Sequence, residues 1–148
     1  METIVTKRDR LQLVNLNIYG LCCRPTKQVY IGVTVNKLRT IFSANRAQAA
    51  STIRRGGRPN KLQTALDFHP KSAFFMKALL QPEDEQQADL WRDQLSVMWN
   101  TIGEGGLNSK LVFYQDVEQA RRAICDEVRA LSLEDFLAEA ARTDVWHG

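Results

Sequence analysis

Residues 17–34, Asn-Ile-Tyr-Gly-Leu-Cys-Cys-Arg-Pro-Thr-Lys-Gln-Val-Tyr-Ile-Gly-Val-Thr, constrain the fold more than any other stretch. Two β-like runs flank a turn signal, Arg24-Pro25-Thr26-Lys27. The first run starts upstream, where Leu11, Leu13 and Leu16 alternate with Gln12, Asn15 and Asn17. Alternation of that kind predicts a strand within 11–23. Residues 28–34 are β-branched and aromatic and predict a second strand, so the short connection makes a hairpin. Each strand carries one tyrosine, Tyr19 and Tyr30, with ten residues between them. Gly32 leaves room for another backbone or a ligand to approach closely.

The rest of the chain supplies helices and one more strand. Asn36 is placed to cap a helix over 37–54, with Leu38, Ile41, Phe42, Ala49 and Ile53 on its apolar face and Gly56-Gly57 as its stop. Residues 59–68 predict a short helix with Pro59 near its start. Residues 72–80 predict a third strand, buried on both sides. Residues 83–103 form the strongest helical pattern. Acids crowd its N-terminus, which suits the helix dipole, and Leu90, Trp91, Leu95, Met98, Trp99 and Ile102 supply a core-facing stripe. The loop 103–110 is glycine-rich but lacks the Gly-Lys-Ser/Thr ending of a phosphate-binding P-loop. Residues 111–114 suggest a short strand. Helices over 115–130 and 133–142 follow, the second opening with Ser132 and Asp135. The order β-β-α-α-β-α predicts a small α/β (α+β) sandwich. Its three-stranded, largely antiparallel sheet is flanked by helices. A boundary near 110 separates the main unit, 1–110, from an acidic helical extension, 111–148, packed on it.

A chain of 148 residues can bury a core without disulfides or metal. Cys22, Cys23 and Cys125 make no disulfide framework, and no Cys or His spacing suggests zinc. His69 and His147 read as bystanders. No run of eighteen apolar residues suggests a membrane span. The N-terminus lacks a signal-peptide core, so the expected compartment is the cytoplasm. Net charge is +3 but unevenly spread. Residues 10–80 hold twelve Lys or Arg and one acid, whereas residues 111–148 hold four Arg and eight acids. Such asymmetry points to a polyanionic partner for the basic part.

Several polar groups can then meet at one face. Tyrosine hydroxyls donate and accept hydrogen bonds, so Tyr19 and Tyr30 can orient a water. Arg39, in the first turn of the following helix, can grip a phosphate and offset charge in a transition state. Asp93 offers oxygen to a hard cation such as Mg2+ or Mn2+. Asn108 can hold that carboxylate or a metal-bound phosphate. Together they make a phosphodiester-cleaving set with one metal. Arg46, Arg54, Arg55, Arg58 and Lys61 would add a patch that tracks a phosphate backbone.

This ordered series resembles the GIY-YIG nuclease superfamily. Asn17-Ile18-Tyr19 and Tyr30-Ile31-Gly32 stand at the spacing of the signature. Arg39 stands early in the next helix, then come the helix with Asn60 and Ala65, the aromatic pair Phe74-Phe75, the helix with Asp93 and the loop ending at Asn108. The match covers roughly residues 13–110. The resemblance implies a magnesium-dependent DNA endonuclease (a phosphodiester hydrolase) of the stand-alone kind met in phage and mobile elements. Tyr19, Tyr30, Arg39 and Asn108 would be catalytic, with Asp93 as metal ligand. One such centre nicks one strand, so a double-strand cut needs a homodimer or two visits. The chain departs from the family pattern at Asn17 for glycine, at Ser43 for the helix His or Tyr, and at Asp93 for glutamate. With a shifted register, Asp89, one turn earlier on that helix, or Glu85 is the metal-ligand candidate. The departures leave a second reading open: a nuclease-like fold with lost chemistry that binds nucleic acid or blocks a protein. A third reading is a protein-interaction role for the acidic tail.

Overall fold

The computed structural model describes residues 16–143. The hairpin is formed by β1 (Asn17–Cys23) and β2 (Gln28–Thr34), with Tyr19 opposite Gly32 and Leu21 opposite Tyr30. A third strand, β3 (Phe74–Leu80), follows a 3-10 turn at Lys71–Ala73 and pairs antiparallel with β1. The sheet order is β2-β1-β3, so the first strand is central. This is the small antiparallel α+β fold expected from the element order. The residues before 16 that carry part of the first alternation lie outside the described residues. β3 is buried only at Phe74, Phe75 and Met76, not along both sides as its apolar sequence suggests, because it is an edge strand.

Pleat alternation sorts the side chains onto two faces. Tyr19 and Leu21 share one face with Tyr30 and Gly32 of β2 and with Phe74 and Met76 of β3. Two helices cover this face: α1 (Leu38–Arg54) and α2 (Lys61–Phe68). Phe42 of α1 packs its ring on Phe74 at 5.6 Å. α1 starts after Lys37 with no side-chain cap, so Asn36 does not serve as the cap, and it ends before Gly56-Gly57. α2 is held by a reciprocal capping box between Asn60 and Gln63.

The other face carries Gly20, Cys22 and Phe75. Here α3 (Glu85–Met98) and the last helix meet the sheet. The acidic segment is three short helices, α4 (Val117–Ala123), α5 (Asp126–Arg129) and α6 (Leu133–Arg142). The expected helix 115–130 is thus broken, and Cys125 stands at the start of α5 rather than within a helix. Phe136 of α6 contacts Phe75 and Trp99 at ring separations of 5.7 and 5.4 Å. A Cβ on Gly20 would lie 2.9 Å from the Phe136 ring, so glycine at this position is what admits the helix. Lys77 donates to Glu139 at 2.6 Å at the rim. Val128, Phe136 and Ala140 belong to the same buried cluster as the strands. The tail therefore completes the core.

No helix among the described residues is long and apolar enough to cross a membrane.

Candidate functional site

Two tyrosines meet over the hairpin. Tyr19 crosses from β1 over the backbone of β2, where Gly32 makes room. A Cβ at that position would sit 2.4 Å from Tyr19 Cζ and Oη. The space at Gly32 is thus filled by the ring of Tyr19, a side chain, and not by the backbone or ligand expected there. The two tyrosine rings lie 6.2 Å apart at 50°. Tyr19 is 2% exposed. Burial holds its hydroxyl far above the ordinary tyrosine range, and neighbouring Tyr30 pushes it the same way. The side chain of Asn45, from the middle of α1, hydrogen-bonds this hydroxyl.

Tyr30 is half-buried and meets a cation. Arg92 of α3 donates through Nη2 to Tyr30 Oη at 3.1 Å, and its guanidinium carbon lies 5.7 Å from the ring centroid. This is a hydrogen bond and a cation–π contact made by one side chain. Arg92 also lies close enough to Asp89, three residues earlier, to oppose the upward push that burial gives that carboxyl. The structure thus assembles Tyr19, Tyr30, Asn45 and Arg92, with Asp89 beside them. Asn45 and Arg92 escaped the sequence reading. Each stands next to a residue that drew attention for its type, Arg46 and Asp93. Only the helical phase separates members of such a pair.

Arg39 stands in the first turn of α1. It is exposed and lines a shallow cleft with Asn17, Asn36, Lys37, Leu38 and Ala78, over the β1–β3 side of the sheet. Asn45 lies six residues further on, about 120° away around the helix, so the two side chains address different places. Ser43 is exposed as well.

Asp93, the expected metal ligand, faces inward and is 1% exposed. Its Oδ1 accepts the backbone N–H of Val112 at 2.8 Å. Its Oδ2 accepts those of Phe113 and Tyr114 at 2.7 and 2.9 Å. Both oxygens are spent on main-chain donors, so the carboxylate is a clasp for residues 112–114. Those residues form a loop and not the expected short strand. Among the described residues no group of three or more His, Cys, Asp or Glu could hold a metal ion. Asp93 itself, buried and with both oxygens accepting main-chain N–H groups, does not fit a carboxylate-held magnesium. Asp89 and Glu85 line a shallow cleft with Val33 and Thr34, one to two turns earlier on α3.

Asn108 has a similar fate. Its Oδ1 accepts the N–H of Ile31 at 2.8 Å and the hydroxyl of Thr101 at 2.8 Å, while its Nδ2 donates to the Ile31 carbonyl at 2.9 Å. The neighbouring Leu107 N–H donates to the Val29 carbonyl. Together these close the free edge of β2, whose backbone groups would otherwise be unpaired. Asn108 is 1% exposed and holds the hairpin, so it does not reach a phosphate.

The basic residues divide. Arg54, Arg55 and Arg58 are exposed at the end of α1 and in the loop after it, and Arg46 is partly exposed beside Asn45. Lys61 instead donates to the carbonyls of Ile102 and Gly103 at 2.8 and 3.0 Å, closing the turn after α3. Its charge stays in the patch but its donors are largely committed. From residue 36 to 61 the chain has seven Lys or Arg and no acid. Cys22 and Cys23 are both buried and free. Burial, together with the neighbouring Cys23, pushes the Cys22 thiol up to about 11.

No protein-family model, curated protein or solved structure matches the chain.

Proposed function

We propose that the protein is a nucleic-acid-binding module, with DNA as the first substrate to try, built on a GIY-YIG-like arrangement that has given up metal-dependent hydrolysis. The observation that carries this reading is the Arg92 guanidinium on the Tyr30 hydroxyl. It puts fixed positive charge at the tyrosine pair, where single-metal hydrolysis would want a carboxylate and a cation held by it. A guanidinium beside two phenols suits a phosphodiester as a bound anion. Arg39 on the β3 side and Arg46, Arg54, Arg55 and Arg58 along α1 extend the positive field. These side chains bind and orient a phosphate, and no step passes through a metal.

The test is fluorescence anisotropy with labelled DNA across a salt series, beside plasmid nicking with magnesium, manganese or EDTA. The expected result is binding that weakens steeply with salt and no nicking. Arg92→Ala should flatten the log–log salt slope by about one, as for a lost phosphate contact. Metal-dependent nicking that disappears in Tyr30→Phe would overturn the reading in favour of an active endonuclease.

A further inference from the structure

Phe68 closes α2 with its ring 80% exposed, an unusual place for a large apolar side chain. The ring is oriented by a neighbour. His69 meets it edge to face at 4.8 Å, and His69 is itself set against Phe74 at 6.2 Å. Phe68 forms one wall of a groove of about 370 Å³ that runs along α2 to Pro59, Asn60 and Lys61, with Gln28 and Thr64 on its sides. The exposed Arg58 stands just before Pro59. The groove thus joins an open aromatic face to the cationic loop after α1.

Its polar side chains are partly engaged. Asn60 accepts the N–H of Gln63, Thr64 donates to the Asn60 carbonyl, Gln28 donates to the Glu104 carbonyl, and Lys61 holds two carbonyls. These bonds take the Asn60 oxygen, the Thr64 hydroxyl proton, one Gln28 N–H and most of the Lys61 donors, which leaves the aromatic face as the feature common to every base. An aromatic face beside cations suits stacking of any base, because every base has a π-face.

We propose that this groove is a base-stacking subsite. An unpaired nucleobase lies on Phe68 while the adjacent phosphates meet Arg58 and the α1 arginines. This rests on the nucleic-acid-binding reading and deepens it. The preferred ligand is single-stranded, because bases within a duplex do not present a free face, and binding is nearly independent of sequence.

The experiment uses the full chain and three labelled probes of equal length: oligothymidine, an abasic oligomer with the same backbone charge, and a duplex. Each is titrated against wild type, Phe68→Ala and Phe68→Trp. The ring is exposed, so both variants keep the fold, and circular dichroism checks this. Oligothymidine should bind wild type more tightly than the abasic strand. Phe68→Ala should weaken oligothymidine on the order of tenfold, leave the abasic strand and the salt slope unchanged, and be rescued by Phe68→Trp. If all three probes bind wild type alike and Phe68→Ala changes none of them, the stacking subsite is refuted while nucleic-acid binding stands. If no probe binds wild type at low salt, both readings fall.

Discussion

Replacing Asp93 by asparagine separates a structural clasp from a metal ligand. The carboxylate accepts three main-chain N–H groups at 2.7–2.9 Å from a position that is 1% exposed. Hydrogen bonds to a charged group are each worth roughly 1.5–3 kcal/mol. An amide keeps one accepting oxygen and turns an NH2 toward a donor. Val112 and Phe113 are themselves exposed, so water can recover part of the loss. The net cost should be about 3 kcal/mol, near the upper end of ordinary substitutions. For a chain of this length that corresponds to a fall of roughly 10 °C in Tm. The assay is thermal unfolding in EDTA, with amide hydrogen exchange on residues 112–114. Those three amides should lose protection before the rest of the chain. Asp89→Asn is the control. Burial raises the Asp89 carboxyl above its ordinary value of 3.8, so its contribution to stability falls as pH rises through and above that value. Neutralising it should leave stability at pH 7 unchanged or slightly higher. A Tm of Asp93→Asn within about 2 °C of wild type would refute the reasoning. So would unaltered exchange at 112–114. Either result would reopen Asp93 as a residue kept for binding.

Other outcomes follow from the same packing. Gly32→Ala should destabilise by about 1–3 kcal/mol, because its Cβ falls on the Tyr19 ring; Gly32→Ala with Tyr19→Leu should recover part of that in a denaturant titration. Tyr19 keeps its proton well above the ordinary tyrosine value of 10.0, so the unfolded chain releases a proton there that the folded chain holds. Stability should therefore drop as pH rises past 10, and absorbance at 295 nm should show one of the three tyrosines ionising only with unfolding. Cys22 and Cys23 should resist a thiol reagent at pH 8 in the native protein while Cys125, which is partly exposed, reacts.

Much of the fold was legible because local chemistry and tertiary context agree. The hairpin register follows from alternation and a short turn, and the order β2-β1-β3 needs only a third strand beside the first. Ser132 caps α6 as its spacing predicts, with the Asp135 N–H donating to its hydroxyl. Disagreement begins where an interaction between distant residues decides. Leu111-Val112-Phe113-Tyr114 has strand composition, yet the N–H groups of its last three residues turn to one carboxylate and not to a partner strand. The predicted helix 115–130 breaks between Ala123 and Asp126, where the Cys125 N–H donates to Gln94 of α3.

The candidate site shows the same limit in sharper form. Residue type marked Asp93 and Asn108 as chemistry because a carboxylate and an amide in a basic α/β domain invite it. Their side chains are as well suited to binding main-chain donors, and burial decides between the two uses. A buried carboxylate costs several kcal/mol unless it is hydrogen-bonded, and here three N–H groups bond to it. The same turn of α3 that sends Asp93 inward sends its neighbour Arg92 to Tyr30. One residue along a helix is about 100° of rotation, more than enough to exchange an anion for a cation at the tyrosines. Packing alone thus accounts for both tyrosines, the glycine that admits the Tyr19 ring and the asparagine that seals the hairpin edge. All four serve the packing of β1 on β2 whether or not a bond is ever cut. What α3 presents to Tyr30 is the Arg92 guanidinium, a group able to hold a phosphate or to offset charge developing on one.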